Sequence, residues 1–548
     1  MRRIPASESL TIEFKSDAHD GLSDNDLVLA VVCLANAQGG TIYLGVEDDG
    51  RATGVADRHR DPHRLAAMIF NHTQPPQGVR VSILDEEGGQ IAAIEVDRCL
   101  RPVSNLKGTY QRRRLRSDGK PECAPFLSYE WTSRASDLHQ LDFTELPVQE
   151  ATLADLDPLE RNHLRDCIDK YKGDRALLKL DDHELDGALN FVAGGHPTVA
   201  GLLLIGRASP IRRHIPAHEI AFQVLTDAMA VRVNDFYQEP LLRVFETIEG
   251  QFKARLNEEE VQVGMFRVPV PEVDPAAFRE ALVNAIIHRD YARLGAIHVQ
   301  WQPDSLVISN PGGFVDGVTA DRLLVTPPKH RNRVLADAFR RIGLSERTGR
   351  GVDRIFEGTL RNGKPAPSYA RSGATSVVVE MRSSGADLPF VRMVVEEERR
   401  RNALLPLDAL IALSCVRDQT RCGLDLVAAA IQKDATIARA AVERLVEAGL
   451  LTAHGTRSRV YTLSPSVYRA LGMAAESVRQ AGFDPLQQAE MIRSYVRQHG
   501  TIRRADVVDL CRITSDEAKR LIAKLEADEI LAQHGSRRWA WYSAGPKA

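Results

Sequence analysis

Glu280 and Asn284 stand four residues apart in the run Glu280-Ala-Leu-Val-Asn284. On a helix, that spacing puts a carboxylate and a carboxamide on one face. An amide oxygen beside bound phosphates can complete a magnesium shell, and the neighbouring carboxylate can orient an attacking water. Downstream lie Asn310-Pro311-Gly312-Gly313 and Gly349-Arg350-Gly351, turns whose glycines let backbone approach a ligand closely. Each glycine pair alone is an ordinary turn. The ordered set is not readily explained as plain turns.

Two neighbouring patterns do not carry chemistry. Gly358-Thr-Leu-Arg-Asn-Gly363-Lys364-Pro365 approaches a phosphate-binding P-loop, but Pro365 stands where that loop needs a hydroxyl for magnesium. His288-Arg289-Asp290 imitates a kinase catalytic loop without the Asn that must follow it. His288 is read as a helix-end or core residue.

The elements that must position these residues show in the pattern. A helix is predicted over Pro275–His288 and a strand over Ser376–Met381, and charge-rich Glu396–Arg401 reads as a helical linker. Nearer the start, Leu10–Lys15 alternates with period two, Asp24–Asn36 reads as a helix, Thr41–Val46 as a strand and Asp48-Asp49-Gly50 as a turn. The apolar run Val199–Ile205 reads as a strand. Beyond residue 400 the chain repeats itself at an offset of 80. Arg439, Arg444, Leu445, Leu450 and Leu451 recur as Lys519, Lys524, Leu525, Ile530 and Leu531, and His454-Gly-Thr-Arg457 recurs as His534-Gly-Ser-Arg537. Each copy reads helix, helix, two-stranded ribbon with a basic tip, the order of a winged helix.

Two stretches resemble known families. Phe278–Tyr291, Asn310–Gly313, Arg331-Asn332 and Ile342–Ile355 look like the divergent ATPase of the GHKL superfamily. The resemblance implies ATP and Mg²⁺ as cofactors, with Asn284 on magnesium, Glu280 activating water, and Gly312, Gly313, Gly349 and Gly351 beside the nucleotide. Asn310 replaces the Asp of the usual adenine-reading box, and its carboxamide is a weaker acceptor. Glu8–Lys15, Ala35–Gly40 and Thr41–Gly50, with Lys107-Gly-Thr-Tyr110 and Arg112–Arg114 after them, look like the Schlafen AlbA-type domain. That resemblance implies one of two roles. As a nucleic-acid platform, Lys107, Arg112, Arg113, Arg114 and Arg116 would face phosphates. As a metal-dependent nuclease, Glu8, Glu13 and Asp48 would hold the ions and Lys15 would support the developing charge.

Composition bounds the rest. The chain has 548 residues, 43% hydrophobic and 26% charged, with a net charge of −3. This excludes a wholly disordered or fibrous protein and a global basic field, and it suggests three to five domains. Residues 401–548 carry 21 basic and 16 acidic residues, a local basic surplus. The basic start leads into the charged Glu8–Lys15 segment without a secretory core, and no apolar run reaches a membrane span. Seven scattered cysteines, without a C-x-x-C pair, predict neither a disulfide framework nor a zinc site. A cytoplasmic location is expected.

The expected fold is multidomain α/β and α+β. It comprises a Schlafen-like α/β domain over 1–135, a mixed middle region over 150–265, and a GHKL-like α/β sandwich over 266–385. Two carboxy-terminal winged helices follow, over 401–466 and 485–548. Their candidate nucleic-acid contacts are Arg439, Arg444, Arg457 and Arg459 in the first, and Lys519, Arg520, Lys524, Arg537 and Arg538 in the second. The function expected is an ATP-binding, nucleic-acid-binding regulator of transcription type, with DNA as partner and no membrane contact. RNA as a partner and a homo-oligomer stay open. The alternatives are an ATP-controlled metal-dependent nuclease, in a role such as phage defence, and a protein-interaction scaffold that does not hydrolyse ATP.

Overall fold

A computed structural model describes residues 4–18, 21–116, 118–138, 140–227, 230–345, 349–455, 459–472, 485–511, 513, 515–535 and 540–547. The amino-terminal unit is a four-stranded sheet with the helix Asp24–Ala35 packed on it. Strand order is Ile12–Lys15, Gly40–Leu44, Gly89–Val96, Val79–Glu86, the first pair parallel and the others antiparallel. The helix starts where Ser23 Oγ accepts the Asp26 N–H. It stops one residue before the expected end because Asn36 turns to other work. Asn36 Nδ2 donates to the carbonyls of Val103 and Gln111 at 2.7 and 2.9 Å, and its Oδ1 accepts from Val103 N.

Cys33 on this helix is joined by a disulfide to Cys123 of the hairpin Gln111–Leu115/Pro121–Pro125. The expectation of no disulfide is thereby corrected. The two cysteines are 90 residues apart in the chain, and only the fold brings their Cα atoms to 5.8 Å. Among the described residues no helix is long and apolar enough to cross a membrane.

The central part is one body. Its sheet runs Val231–Tyr237, Ile220–Leu225, Ile297–Trp301, Ser305–Pro311, Ser376–Arg382, with only the second and third strands parallel. A single hydrophobic core extends from Ala151 to Met381. Sheet and core therefore cross residue 265, where a boundary between a middle region and a nucleotide region was expected. Val199–Ile205 is a wholly buried helix, not a strand. A continuous apolar run carries no period to separate the two, and here Thr198 caps the helix by accepting the Gly201 N–H. The helix Pro275–His288 lies on the sheet, capped by Asp274, and its Phe278 stacks on Phe252 with ring centroids 3.9 Å apart.

Two similar units end the chain. The first has helices Leu407–Gln419, Leu424–Ile431 and Ala435–Glu447, with strands Cys422–Gly423, Leu451–His454 and Val460–Leu463 in one sheet. The second repeats this as Pro485–His499, Arg504–Cys511 and Ser515–Ala527, with Thr501–Ile502, Leu531–His534 and Trp541–Ala544. The third helices fall at the same offset of 80 as the sequence repeat. A contact repeats too: His454 Nε2 meets Thr462 Oγ1 at 2.9 Å, and His534 Nε2 meets Ser543 Oγ at 2.8 Å. The first unit shares its core with Phe356 and Leu360 of the helix Gly351–Arg361, whereas the second has a core of its own.

Candidate nucleotide site

A cavity of about 310 Å³ opens beside the helix Pro275–His288. Glu280 and Asn284 line it from that helix, Asn310 from the strand Ser305–Pro311, Gly313 from the loop after it, and Gly349 and Gly351 from the turn into the helix Gly351–Arg361. Gly312 does not line it. Gly312 instead has a left-handed φ of 95° and lies so close to Arg331 and Asp290 that no side chain fits.

The glycines that do line the wall are required by close approach. A side chain at Gly351 would overlap the Glu280 carboxylate, and one at Gly349, with φ 67°, would run into Pro328. Glu280, 6% exposed, thus sits at the start of the Gly351–Arg361 helix, where unpaired backbone N–H groups favour negative charge. Asn284 is half-buried one turn further along the same face. Burial and the Glu280 charge push the Tyr369 hydroxyl, which also lines the cavity, well above its ordinary range. Ile308, Phe314, Val352, Val377 and Val379 add apolar side chains to the lining.

Arg331 and Asn332 hold the end of the Glu280 helix. Arg331 Nη1 donates to the His288 carbonyl at 2.9 Å, and Asn332 Nδ2 donates to those of Ile287 and Arg289 at 3.0 and 2.7 Å. Three carbonyls that a helix end leaves open are thus satisfied. The same Arg331 donates to Gly313 O and pairs with Asp137, on the helix Ser128–Asp137 that closes the amino-terminal unit. Arg98 of that unit pairs with Asp316 in the cavity loop. Sequence reasoning missed these ties, and it missed Tyr369 and the cavity-lining Lys329, because each acts from a position remote in sequence from the motif it serves. The rejected patterns are structural: Lys364 is buried and donates to the Ser383 carbonyl at 2.6 Å, and Arg289 is buried and donates to the carbonyls of Ala217 and Gly295.

In the amino-terminal unit the expected arrangement changes. Arg113 does not face solvent: it is 4% exposed, pairs with Glu13 and donates to the Ser9 and Ile12 carbonyls at 3.0 Å. Glu13 also pairs with Lys15, and Glu8 Oε1 accepts the Phe14 N–H at 2.9 Å. Asp48 is exposed in its turn. Glu8, Glu13 and Asp48 are not among the described residues whose ligand atoms gather within 4.8 Å, and the two glutamates pair with Arg113 and Lys15. Arg112 pairs with Glu130, Arg114 with Glu122 and Arg116 with Asp118; only Arg114, Arg116 and Lys107 are exposed.

In the carboxy-terminal units Arg439 and Arg444 are exposed on the third helix of the first, and Lys519, Arg520 and Lys524 on the third helix of the second. Arg459 is exposed and pairs with Glu443 at 3.3 Å. Arg457, Arg537 and Arg538 lie outside the described residues.

Four family models match separate stretches. Residues 8–121 match the Schlafen AlbA_2 model and residues 133–221 a domain of unknown function, DUF8451. Residues 295–381 match HATPase_c_4, a model described as "Putative ATP-dependent DNA helicase recG C-terminal". That match includes Asn310 and both glycine turns but not the Glu280–Asn284 helix. Residues 383–547, which span nearly all of the two stretches expected as winged helices (401–466 and 485–548), match the AlkZ-like DNA glycosylase model instead. No curated protein matches. Among solved structures, the DIP2311 protein from Corynebacterium diphtheriae is 23% identical with a TM-score of 0.50, over 98% of this chain and 95% of that one, a likeness of fold. BpsR from Bordetella bronchiseptica is 22% identical over 20% of this chain and 87% of that one, with a TM-score of 0.12. The chain thus combines Schlafen-like and ATPase-like parts in a mixed α/β multidomain fold.

Proposed function

We propose that the central body binds a magnesium–nucleoside triphosphate, and that this binding governs nucleic-acid contacts made by the terminal units. One observation carries the reading. Glu280, Asn284, Asn310, Gly313, Gly349 and Gly351, spread over three stretches of chain, converge on one cavity. Its volume is at the lower end of the about 300–1,000 Å³ of small-molecule sites. The residues suit the ligand: the lining combines oxygen donors, close-approach glycines and apolar side chains, the groups that a metal, phosphates and a flat ring call for.

In this reading the Asn284 carboxamide oxygen holds magnesium, which supplies charge stabilisation at the phosphates when bound. Glu280 orients a water and takes its proton. The N–H groups at the start of the Gly351–Arg361 helix receive phosphate oxygens, and Asn310 faces the base.

Each carboxy-terminal unit is read as a winged helix, supported by its order of helix, strand, two helices and two strands, and by the exposed basic residues on its third helix. The first packs on the helix that begins at Gly351, and its Gln432 accepts the Leu324 N–H at 2.9 Å and donates to the Ala320 carbonyl at 3.1 Å. Leu324 lines the cavity. A ligand there is thus one contact away from a nucleic-acid-binding element.

Anisotropy of labelled duplex DNA and tRNA, with and without Mg·ATP, tests the coupling. Affinity for one of them should change about fivefold or more with Mg·ATP in the wild type and stay constant in Asn284→Ala. Equal affinity with and without nucleotide in the wild type would sink the proposal.

A further inference from the structure

Far along the chain from the cavity residues, the helices Pro158–Lys170 and Leu241–Lys253 bring together three side chains of different chemistry. His163 and Cys167 stand four apart on one helix face, and Glu246 comes from the other helix. His163 Nε2 is 3.7 Å from Cys167 Sγ and 3.1 Å from Glu246 Oε2, and Sγ is 3.9 Å from Glu246 Oε1. One donor atom from each residue can be chosen so that all three lie within 4.8 Å of one another. Among the described residues this is the one such cluster of three.

The two distances from His163 Nε2, 3.7 Å to Cys167 Sγ and 3.1 Å to Glu246 Oε2, bracket those of a coordination face. With bonds of about 2.3 Å to sulfur and 2.0 Å to nitrogen or oxygen, a tetrahedral zinc ion sets its donors about 3.3–3.6 Å apart. Three donors that already lie within 4.8 Å of one another need only side-chain adjustment to close on an ion. We infer that His163, Cys167 and Glu246 form a binding site for a zinc-class divalent cation, which clamps the two helices together.

The surroundings suit that role. Lys170 Nζ, at 2.6 Å, and the Tyr171 hydroxyl, at 3.4 Å, engage Glu246 Oε1. Carboxylate oxygen Oε2 is thereby turned towards His163, the kind of outer contact that orients a ligand. Cys167 is buried at 1% exposure, while His163 and Glu246 keep 14% and 25% of their side chains exposed, so the cluster lies at the edge of the core, next to solvent. A sulfur, nitrogen and oxygen donor set favours zinc or cobalt over the hard magnesium and calcium ions. On binding, the thiol proton leaves to solvent, and the Sγ thiolate, a Glu246 carboxylate oxygen and the Nε2 of a neutral His163 protonated at Nδ1 each give a lone pair to the metal.

The sequence expectation of no zinc site rested on cysteine pairs. A helical His-x-x-x-Cys pair whose third ligand lies 79 residues away gives no such signal.

The test is titration of the untagged, metal-free full chain with Co²⁺, read by absorption. One equivalent should give visible ligand-field bands with a thiolate-to-cobalt charge-transfer band, bleached by Zn²⁺. Cys167→Ser should lose the charge-transfer band, and Glu246→Gln should weaken binding about tenfold or more. Should Cys167→Ser fail to fold by circular dichroism, His163→Gln, nearer the surface, tests the same site through loss of stoichiometric binding. The double variant Cys415→Ser/Cys422→Ser should keep the band, which separates the site from that other thiol pair, 3.2 Å apart. A folded wild type with no charge-transfer band at one equivalent, or a band unchanged in Cys167→Ser, would overturn the inference.

Discussion

Glu280 lies where a side chain at Gly351 would have to be, so two residues 71 positions apart constrain each other. If Glu280 orients the water, Glu280→Ala should leave Mg·nucleotide affinity within about twofold and reduce turnover by about 10² or more, read by steady-state phosphate release. Gly351→Ala should lower turnover by a similar factor, because its Cβ displaces the same carboxylate. Wild-type turnover in either variant would remove Glu280 from the reaction. The four-residue spacing made the Glu280–Asn284 pair legible, since helical periodicity alone puts both on one face. Arg113 shows the opposite case. Within a basic run its charge suggests a phosphate contact, yet burial beside Glu13 was invisible until the strand Ile12–Lys15 and the hairpin were in place.

A second residue-scale pair concerns pH. His59 Nδ1 lies 2.9 Å from Asp17 Oδ2, and both are buried. The bond to Asp17 raises the imidazole above its usual 6.5, outweighing burial. Burial opposes ionisation of Asp17, but bonds from His59, Ala56 N and Leu22 N hold it below 3.8. The His59 contribution is therefore complete below about pH 6.5 and lost as pH rises through its higher folded value. That of Asp17 is complete above about pH 4 and lost as pH falls through its lower folded value. Asp17→Asn should cost about 3 kcal/mol at pH 6 and flatten the alkaline limb, as measured by urea unfolding of wild type and variant across pH 5–9. A parallel shift at every pH would contradict the pairing.

At the scale of elements, the carboxy-terminal repeat was legible because recurring residues at one offset survive any uncertainty about helix ends. The helix Val199–Ile205 was not, because an all-apolar run is equally a buried strand or a buried helix. The units' ribbons carry the next prediction. Replacing Arg457, Arg459, Arg537 and Arg538 by Ala should weaken binding to every duplex alike and reduce the slope of log affinity against log salt by up to about four. An unchanged slope would place these ribbons against a protein or water. The family match over 383–547 adds a discriminating control, since a glycosylase-like unit would prefer a duplex with a damaged base and a phosphate-reading wing would not.

For the whole molecule, the cavity sits at a junction. Arg331 reaches Asp137 of the amino-terminal unit, Gln432 reaches the cavity loop from the first carboxy-terminal unit, and one core runs from Ala151 to Met381 between them. None of this was legible in the sequence, which marks motifs but not which surfaces meet, and the disulfide between Cys33 and Cys123 was hidden for the same reason. Asp137→Asn weakens the Arg331 pair while leaving Arg331 its bonds to His288 and Gly313. It should keep nucleotide affinity within about twofold and reduce nucleotide-driven change in the amino-terminal unit, read by hydrogen exchange over residues 128–137.

Coupling between these units depends first on whether the cavity takes a nucleotide at all. Isothermal titration of Mg·ATP into the full chain, beside Asn284→Ala, measures that. One site in the wild type and at least a tenfold loss of affinity in Asn284→Ala, with both proteins equally folded, is the predicted result. Equal affinity in the two, or no heat in the wild type, would contradict the assignment of this cavity.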